Sequence, residues 1–149
     1  MADTSKVGTT VPPIEMPVER GKIREFARAT MTENPAYLDG KDPVSPPTFL
    51  TTMNFWMTGA ASPVAMLGLD LKRVLHGAQE YVFHGPPPRA GTELSASTKV
   101  ESITEKEGKR GGLMTFVVVA TEFRDPSGTL VAEARSTVIE TGRPPAEES

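Results

Sequence analysis

The sequence of 149 residues contains no cysteine and only two histidines. Without cysteine the chain cannot form a disulfide framework, a thiolate nucleophile or a zinc site built on sulfur. His76 and His84 are eight positions apart and have no third candidate ligand beside them, so we expect no metal site. A chain without cysteine fits a reducing compartment, and we expect this protein to be cytoplasmic.

Long apolar runs and a basic face are also missing. No stretch approaches the roughly 18 apolar residues that a membrane span requires, and the N-terminus, MADTSKVGTTVPP, lacks the apolar core of a secretion signal. The net charge of −3, with both signs interspersed, does not provide the basic surface that phosphate recognition needs. The one basic cluster, KEGKR at 106–110, is interpreted as a solvated hairpin turn. We therefore expect neither a membrane nor a nucleic acid as partner.

The length is that of one domain, and a chain of this size buries roughly 68% of its unfolded surface. Both ends are polar, and the C-terminal segment contains two consecutive prolines that cannot extend a sheet. We expect flexible ends at 1–7 and 142–149 around a single domain at 8–141.

The first half of the domain is predicted to be helical. Between positions 20 and 30 the less polar residues Ile23, Phe26, Ala27 and Thr30 recur at helical spacing, and Asn34-Pro35 ends that helix. A second helix is predicted in SPPTFLTTMNFW, with Ser45 as its cap and the prolines in its first turn. Because this segment is apolar around most of its circumference, it is expected to be buried or to line an apolar pocket.

The second half changes to a period of two, which is typical of β-strands. Strands are predicted in QEYVFH, ELSASTKVESI, LMTFVVVATEF and LVAEARSTVIE, and the turn-forming segments between them predict an antiparallel meander. On the last strand Ala132, Ala134 and Ser136 make one face flat enough for a helix to lie close to it. These features predict an α+β protein with the hot-dog fold, in which an antiparallel sheet wraps around a central helix. The pattern also allows an α+β sandwich with a different strand order.

Several blocks together resemble the N-terminal domain of MaoC-like, or FAS1-like, dehydratases, over roughly residues 8–141. The blocks are VERGKIREFARATMTENPAYLD, SPPTFLTTM, LHGAQEYVFHGPPPRAG and GGLMTFVVVATEFRDPSGTLVAEARSTVIET. This family includes (R)-specific 3-hydroxyacyl-thioester dehydratases and enoyl-CoA hydratases. The resemblance implies a hot-dog fold, a homo- or heterodimer with another hot-dog subunit, and an acyl group carried on coenzyme A or acyl carrier protein. It implies no additional cofactor.

The catalytic loop of that family reads G-D-x-N-P-L-H, and its two working residues are replaced here. Asn34 and the following proline match, but Thr32 stands for the aspartate and Tyr37 for the histidine. A phenol has a pKa near 10, about 3.5 units above that of imidazole, so its basic form is roughly 5 kcal/mol harder to reach than that of imidazole. The segment before SPPTF is also shorter than the resemblance leads one to expect. We therefore expect no catalytic residue in this chain.

Some members of the resembled family resolve such a loss by pairing a subunit without the dyad with one that keeps it. The degenerate subunit then shapes the acyl tunnel, since a pocket between two units needs an apolar wall from both. The substrate-binding candidates here are Phe49, Met53, Phe55, Trp56 and Met57. Alternatively, these residues are simply core, because aromatic and methionine side chains at helical spacing usually serve in packing.

Two other functions are compatible with the sequence. One is a homodimeric thioesterase or acyl-CoA-binding protein that uses Glu33, Asp39 or His84, and the other is a binding module without a reaction. A carboxylate acts as a base near pH 7 only where burial raises its pKa. Otherwise Glu33 and Asp39 are solvated turn residues, and His84 ties a strand end to a neighbouring loop by hydrogen bonds.

Overall fold

The computed structural model of the chain describes residues 3–57, 62–109 and 112–142. Its strands are β1 (Ile14–Pro17), β2 (Val74–Phe83), β3 (Glu93–Glu107), β4 (Leu113–Arg124) and β5 (Leu130–Glu140). Its α-helices are α1 (Arg20–Ala29), α2 (Pro35–Leu38) and α3 (Pro63–Leu67), and 3-10 helices cover Thr4–Lys6, Phe49–Phe55 and Leu71–Arg73. The expected C-terminal tail beyond residue 142 lies outside the described residues. Thr4–Lys6, within the end expected to be flexible, forms a 3-10 turn that Asp3 caps.

The five strands form one antiparallel sheet in the order β1-β3-β4-β5-β2. The predicted alternation is confirmed along β3, where Leu94, Ala96, Thr98 and Val100 are all buried on one face. A segment with this period and several β-branched residues buries its apolar side chains by forming a strand with one face on the core. The α+β class predicted from the sequence is therefore confirmed.

The predicted meander is wrong at its first step, because β2 and β3 are not neighbours. β2 lies at one edge of the sheet beside β5, and β3 pairs with β1, a strand that the sequence pattern did not predict. The connection PPPRAG is not a hairpin turn but pairs with the segment at 43–45. The amide of Ser45 donates to the carbonyl of Pro88 at 2.9 Å, and the amide of Ala90 donates to the carbonyl of Pro43 at 3.0 Å. This pairing lies on the crossover that takes the chain from β2, at one edge of the sheet, to β3, which is next to β1 at the other edge.

One face of the sheet, the inner face, packs against α1 and the 3-10 helix Phe49–Phe55. Ile23 and Ala27 of α1 are buried as the helical spacing predicts. Phe26 meets Phe49 edge to face, with ring centroids 5.7 Å apart. The fully buried sheet residues of this core are Met16, Leu94, Ala96, Phe123 and Ala132. Burial of the larger of these side chains, Met16, Leu94 and Phe123, contributes about 1.5–3 kcal/mol each and helps to fix α1 on the sheet.

The predicted second helix is wrong in type and in its cap. The segment forms a 3-10 helix of seven residues that begins at Phe49, and Thr48 at its N-cap makes no side-chain hydrogen bond. Ser45 is buried, and its hydroxyl has no hydrogen-bond partner among the described residues. The residue before a proline is disfavoured in the helical region, so Ser45 extends into the crossover pairing instead. The threonines and Asn54 that follow are weak helix formers, which fits a short 3-10 segment.

A buried carboxylate joins the start of β2 to the end of β5. Glu140, which is 3% exposed, accepts hydrogen bonds from Arg73 Nη2 and from the amide of Asp70, both at 2.9 Å. Hydrogen bonds to an ionised group are roughly twice as strong as those between neutral groups. It fixes the position at which β2 enters the sheet.

Candidate functional site

The described residues enclose a cavity of about 290 Å3 between the inner face of the sheet and the 3-10 helix Phe49–Phe55. Its apolar lining includes Leu50, Met53, Val119, Ala134 and Val138, and its polar lining includes Thr51, His76, Gln79, Tyr81, Thr121 and Ser136. No described residue of the lining carries a carboxylate, an ammonium or a guanidinium group. The cavity is therefore suited to a neutral ligand segment with apolar and hydrogen-bonding parts.

Small side chains on β5 create this space. Ala134 and Ser136 occupy successive inner-face positions, opposite Thr121 and Val119 of β4. From the sequence, these small residues are expected to let a helix lie close to the sheet. Ala132 does lie in the core under Phe49 and Leu50, but Ala134 and Ser136 continue into the cavity lining. The small side chains of β5 thus permit close packing at Ala132 and leave an open space at Ala134 and Ser136.

Tyr81 lines the cavity from β2 and is half-buried. Burial raises the pKa of its hydroxyl above the ordinary value of 10, and a hydrogen bond with the Thr51 side chain opposes part of that shift. A phenol with a raised pKa stays protonated near neutral pH. Tyr81 can therefore donate a hydrogen bond to a ligand oxygen in the cavity, but it cannot act there as a base.

His76 is the one imidazole of the cavity lining. Its Nε2 lies 3.0 Å from the carbonyl oxygen of Ala78, across a register shift at Gly77. A carbonyl only accepts, so Nε2 carries the proton and, in the neutral ring, Nδ1 keeps its lone pair. His76 is exposed and near the edge of the sheet, where its free nitrogen is accessible to a ligand or to a partner.

The loop that aligns with the catalytic motif of the resembled family has a structural role here. Asn34 caps α2, with its Oδ1 accepting from the amide of Ala36 at 3.0 Å, and Thr32 Oγ1 accepts from the amide of Asn34 at 3.3 Å. Tyr37 is partly buried against the main core. None of these three side chains belongs to the cavity lining.

The other candidate proton-transfer residues also lie elsewhere. Glu33 and Asp39 are exposed, so neither lies in the apolar pocket that the thioesterase hypothesis requires. His84 faces the opposite, outer side of the sheet, where its Nε2 lies 2.7 Å from Glu133 Oε2. That contact ties the end of β2 to β5 rather than to a loop. Of the two histidines, the structure brings His76 and not His84 to the cavity.

Only one of the five predicted wall residues, Met53, lines the cavity. Phe49 is completely buried in the core, as the alternative interpretation held. Phe55 is 74% exposed under the ammonium of Lys22, which lies 5.3 Å from its ring centroid, and Trp56 is 38% exposed. Met57 is partly buried outside the lining.

The cavity lining also contains residues that were not predicted from the sequence, among them Leu50, Thr51, Gln79 and Tyr81. The sequence does contain a signal for the strand residues, because the alternation in QEYVFH puts Tyr81 on the same face as Phe83, which packs against the core. No comparable signal exists for the 3-10 helix, whose lining residues could be chosen only once its helix type was known.

Within the described part of the chain no group of three or more His, Asp or Glu side chains could hold a metal ion. No described helix is long and apolar enough to span a membrane.

The family model described as "FAS1-like, dehydratase domain region" matches residues 5–134. The chain belongs to the FAS1-like dehydratase family. A UPF0336 protein of Streptomyces avermitilis is 35% identical over 92% of this FAS1-like chain and 93% of its own length. A UPF0336 protein of Saccharopolyspora erythraea is 33% identical over 94% and 92% of the two chains.

Solved structures confirm that this FAS1-like dehydratase domain has the hot-dog fold. The C-terminally truncated HadBC (3R-hydroxyacyl-ACP dehydratase) complex of Mycobacterium tuberculosis includes a chain with a TM-score of 0.72 and 26% identity, covering 90% of this chain and 96% of that one. The ChsH1-ChsH2 complex of the same organism includes a chain with a TM-score of 0.71 and 18% identity, covering 94% and 88%. Both are complexes of more than one subunit.

Proposed function

We propose that this chain is the acyl-thioester-binding, non-catalytic subunit of an (R)-3-hydroxyacyl-CoA or -ACP dehydratase, acting as an enoyl hydratase in reverse. The catalytic aspartate and histidine would lie on a second hot-dog subunit. The observation that carries this proposal is the composition of the cavity, which offers space and hydrogen bonds but no carboxylate.

Dehydration of a 3-hydroxyacyl thioester needs a base for the proton on the α-carbon and an acid for the leaving hydroxyl. His76 could supply one of these functions but has no carboxylate partner in the cavity lining to orient it. Tyr81 stays protonated, and Thr32 and Tyr37 lie outside the lining. The cavity is thus able to bind an acyl thioester but lacks an acid–base pair to convert it.

The sheet provides a place for the catalytic partner. β2 is an edge strand, and over its ten residues one side has no strand neighbour within the described residues. A long, unpaired edge readily accepts a strand from another chain. Because β2 also contributes His76, Gln79 and Tyr81 to the cavity, a subunit paired at this edge would place its own residues beside the ligand. HadBC and ChsH1-ChsH2 support such an assembly.

The cavity volume suits part of a ligand. About 290 Å3 lies at the lower limit of small-molecule pockets, which span roughly 300–1,000 Å3. The cavity would hold a short acyl chain or the segment next to the thioester, while the remainder of the ligand extends toward the partner.

The alternative is a thioesterase or acyl-CoA-binding protein that uses Glu33, Asp39 or His84. It has less support, because none of these residues lines the cavity.

Binding and turnover of butyryl-CoA by the isolated chain separate these functions. We expect saturable binding by calorimetry and no release of free coenzyme A, measured with a thiol reagent. Rapid thiol release would establish the thioesterase instead, and the absence of binding would remove the basis of both proposals.

A further inference from the structure

Helix α1 carries a stripe of three arginines on one side. Arg20, Arg24 and Arg28 are each one helical turn apart and all exposed, so the stripe is about 12 Å long. Among the residues that the structure describes, none of the three side chains has an ion-pair or hydrogen-bond partner, whereas Lys22 pairs with Glu25 at 2.6 Å.

The stability of the helix accounts for only one of the three, because Arg28 lies in the last turn, where the helix dipole favours a cation. Like charges four residues apart repel one another, and the stripe contains two such pairs. The first turn contains Arg20 and Lys22 and no acidic residue, although the helix dipole favours acidic residues there. The chain as a whole has a net charge of −3, so this row of positive charges is opposite in sign to the net charge of the protein.

The shape of the stripe indicates the kind of partner. Small anions and nucleotides bind in concave sites that surround them, whereas the three arginines lie along a convex helix surface. A linear row of exposed guanidinium groups matches a row of carboxylates on another protein, since each guanidinium can bind a carboxylate through two hydrogen bonds.

The stripe lies on the helix that supports the roof of the cavity. Phe26 of α1 packs against Phe49, and Lys22 of α1 lies over Phe55. The 3-10 helix that contains both phenylalanines also contributes Leu50 and Met53 to the cavity lining. A protein bound to α1 would therefore sit next to the acyl-binding site.

We propose that Arg20, Arg24 and Arg28 form the docking surface for an acidic face of the acyl carrier protein that delivers the acyl group. This inference rests on the proposed function. Of the two carriers that the proposed function allows, coenzyme A and acyl carrier protein, it selects acyl carrier protein. The arginines steer the carrier by long-range attraction and hold it beside the cavity.

The test compares the full chain with two charge-reversal variants. R20E/R24E/R28E removes the stripe, and K41E/K72E/K109E makes the same change in net charge at exposed lysines elsewhere. The variant R20Q/R24Q/R28Q removes the charge without reversing it, in case reversal disturbs the fold. Binding of butyryl-loaded acyl carrier protein and of butyryl-CoA is measured for each by fluorescence anisotropy or calorimetry, at low and physiological salt.

We expect the arginine-to-glutamate variant to bind the loaded carrier at least about 10-fold more weakly, the glutamine variant to be intermediate, and the lysine variant to change affinity less than about 2-fold. Binding of butyryl-CoA should be unchanged in all of them. The proposal is overturned if the lysine variant weakens carrier binding as much as the arginine variant, or if the arginine variants weaken butyryl-CoA binding instead. Binding of butyryl-CoA without any binding of the carrier would overturn the docking surface but leave the proposed function intact, whereas failure to bind either would overturn both.

Discussion

The Nε2 atom of His76 donates a hydrogen bond to the carbonyl oxygen of Ala78, 3.0 Å away, and so bridges the bulge at Gly77. The bulge depends on a residue without a side chain. A Cβ atom at position 77 would lie 2.7 Å from Cδ1 of Ile139 and 3.3 Å from the carbonyl oxygen of Thr137. His76 thus reaches the cavity because β2 is bent at a glycine.

The first prediction concerns this bulge. Gly77→Ala should lower the free energy of unfolding by about 2 kcal/mol, because Ile139 and the neighbouring backbone must move. Urea denaturation measures the effect. Gly85→Ala is the matched control, since a Cβ there meets no atom within 4 Å, and it should change stability by less than about 0.5 kcal/mol. Equal stabilities of the two variants would contradict the role of the bulge.

The second prediction concerns the floor of the cavity. Ser136→Leu fills the space between β5 and the 3-10 helix and should weaken binding of butyryl-CoA at least about 10-fold. Thr137→Leu is the control, because the adjacent residue points to the outer face of the sheet, opposite Val118. Calorimetric titration of both variants with butyryl-CoA measures the two affinities. Equal affinities would show that the acyl group binds elsewhere.

The sequence contained enough information for β2 to β5, but not for β1 or for the order of the strands. The alternation that buries Leu94 and Ala96 is local, so the period alone predicts which side chains face inward. The pairing of β2 with β5 instead depends on the crossover at 86–90, where Pro88 and Ala90 bond to a segment more than 40 positions earlier. A pattern within one strand does not contain that information.

The candidate site was even less predictable. The replaced dyad could be identified from Thr32 and Tyr37 alone, but the cavity forms where small β5 residues meet a 3-10 helix that had been predicted as an α-helix. The apolar character of Phe55 indicated burial, whereas tertiary structure leaves it exposed beside Lys22. Its exposure follows from the helix type, which the apolar pattern does not determine.

The third prediction concerns pH. The chain has two tyrosines, so Tyr37→Phe leaves Tyr81 as the only phenol, and its absorbance should titrate at a pH above 10 in the folded state. Because the folded-state pKa is raised, Tyr81 contributes stability that is present below the unfolded pKa and lost as the pH rises above about 10. Comparing Tyr81→Phe with the parent by urea denaturation between pH 8 and pH 11 tests the sign. A stability advantage of the parent that grew with pH would contradict it.

The fourth prediction concerns the end of α1. Met31 has a φ of 56°, which lies in the left-handed region. The hydrogen bonds between backbone amides and carbonyls at this end of α1 are those of a helix end in which glycine usually occupies the position of Met31. Met31→Gly should raise the free energy of unfolding by about 0.5–1 kcal/mol, as relief of the strain exceeds the added flexibility of the unfolded chain. Met31→Ala retains the strain and should give no gain. If both variants were equally stable, the backbone strain would be negligible.

The central claim is that this chain binds the acyl thioester while a second hot-dog subunit supplies the acid and the base. The most direct measurement is the rate of crotonyl-CoA hydration by the purified chain, alone and mixed with a partner that contains G-D-x-N-P-x-H. We predict no hydration by the chain alone and rapid hydration by the mixture, lost when the partner's aspartate or histidine is replaced. Rapid hydration by the chain alone that collapsed in Tyr37→Phe or Thr32→Ala would contradict the claim.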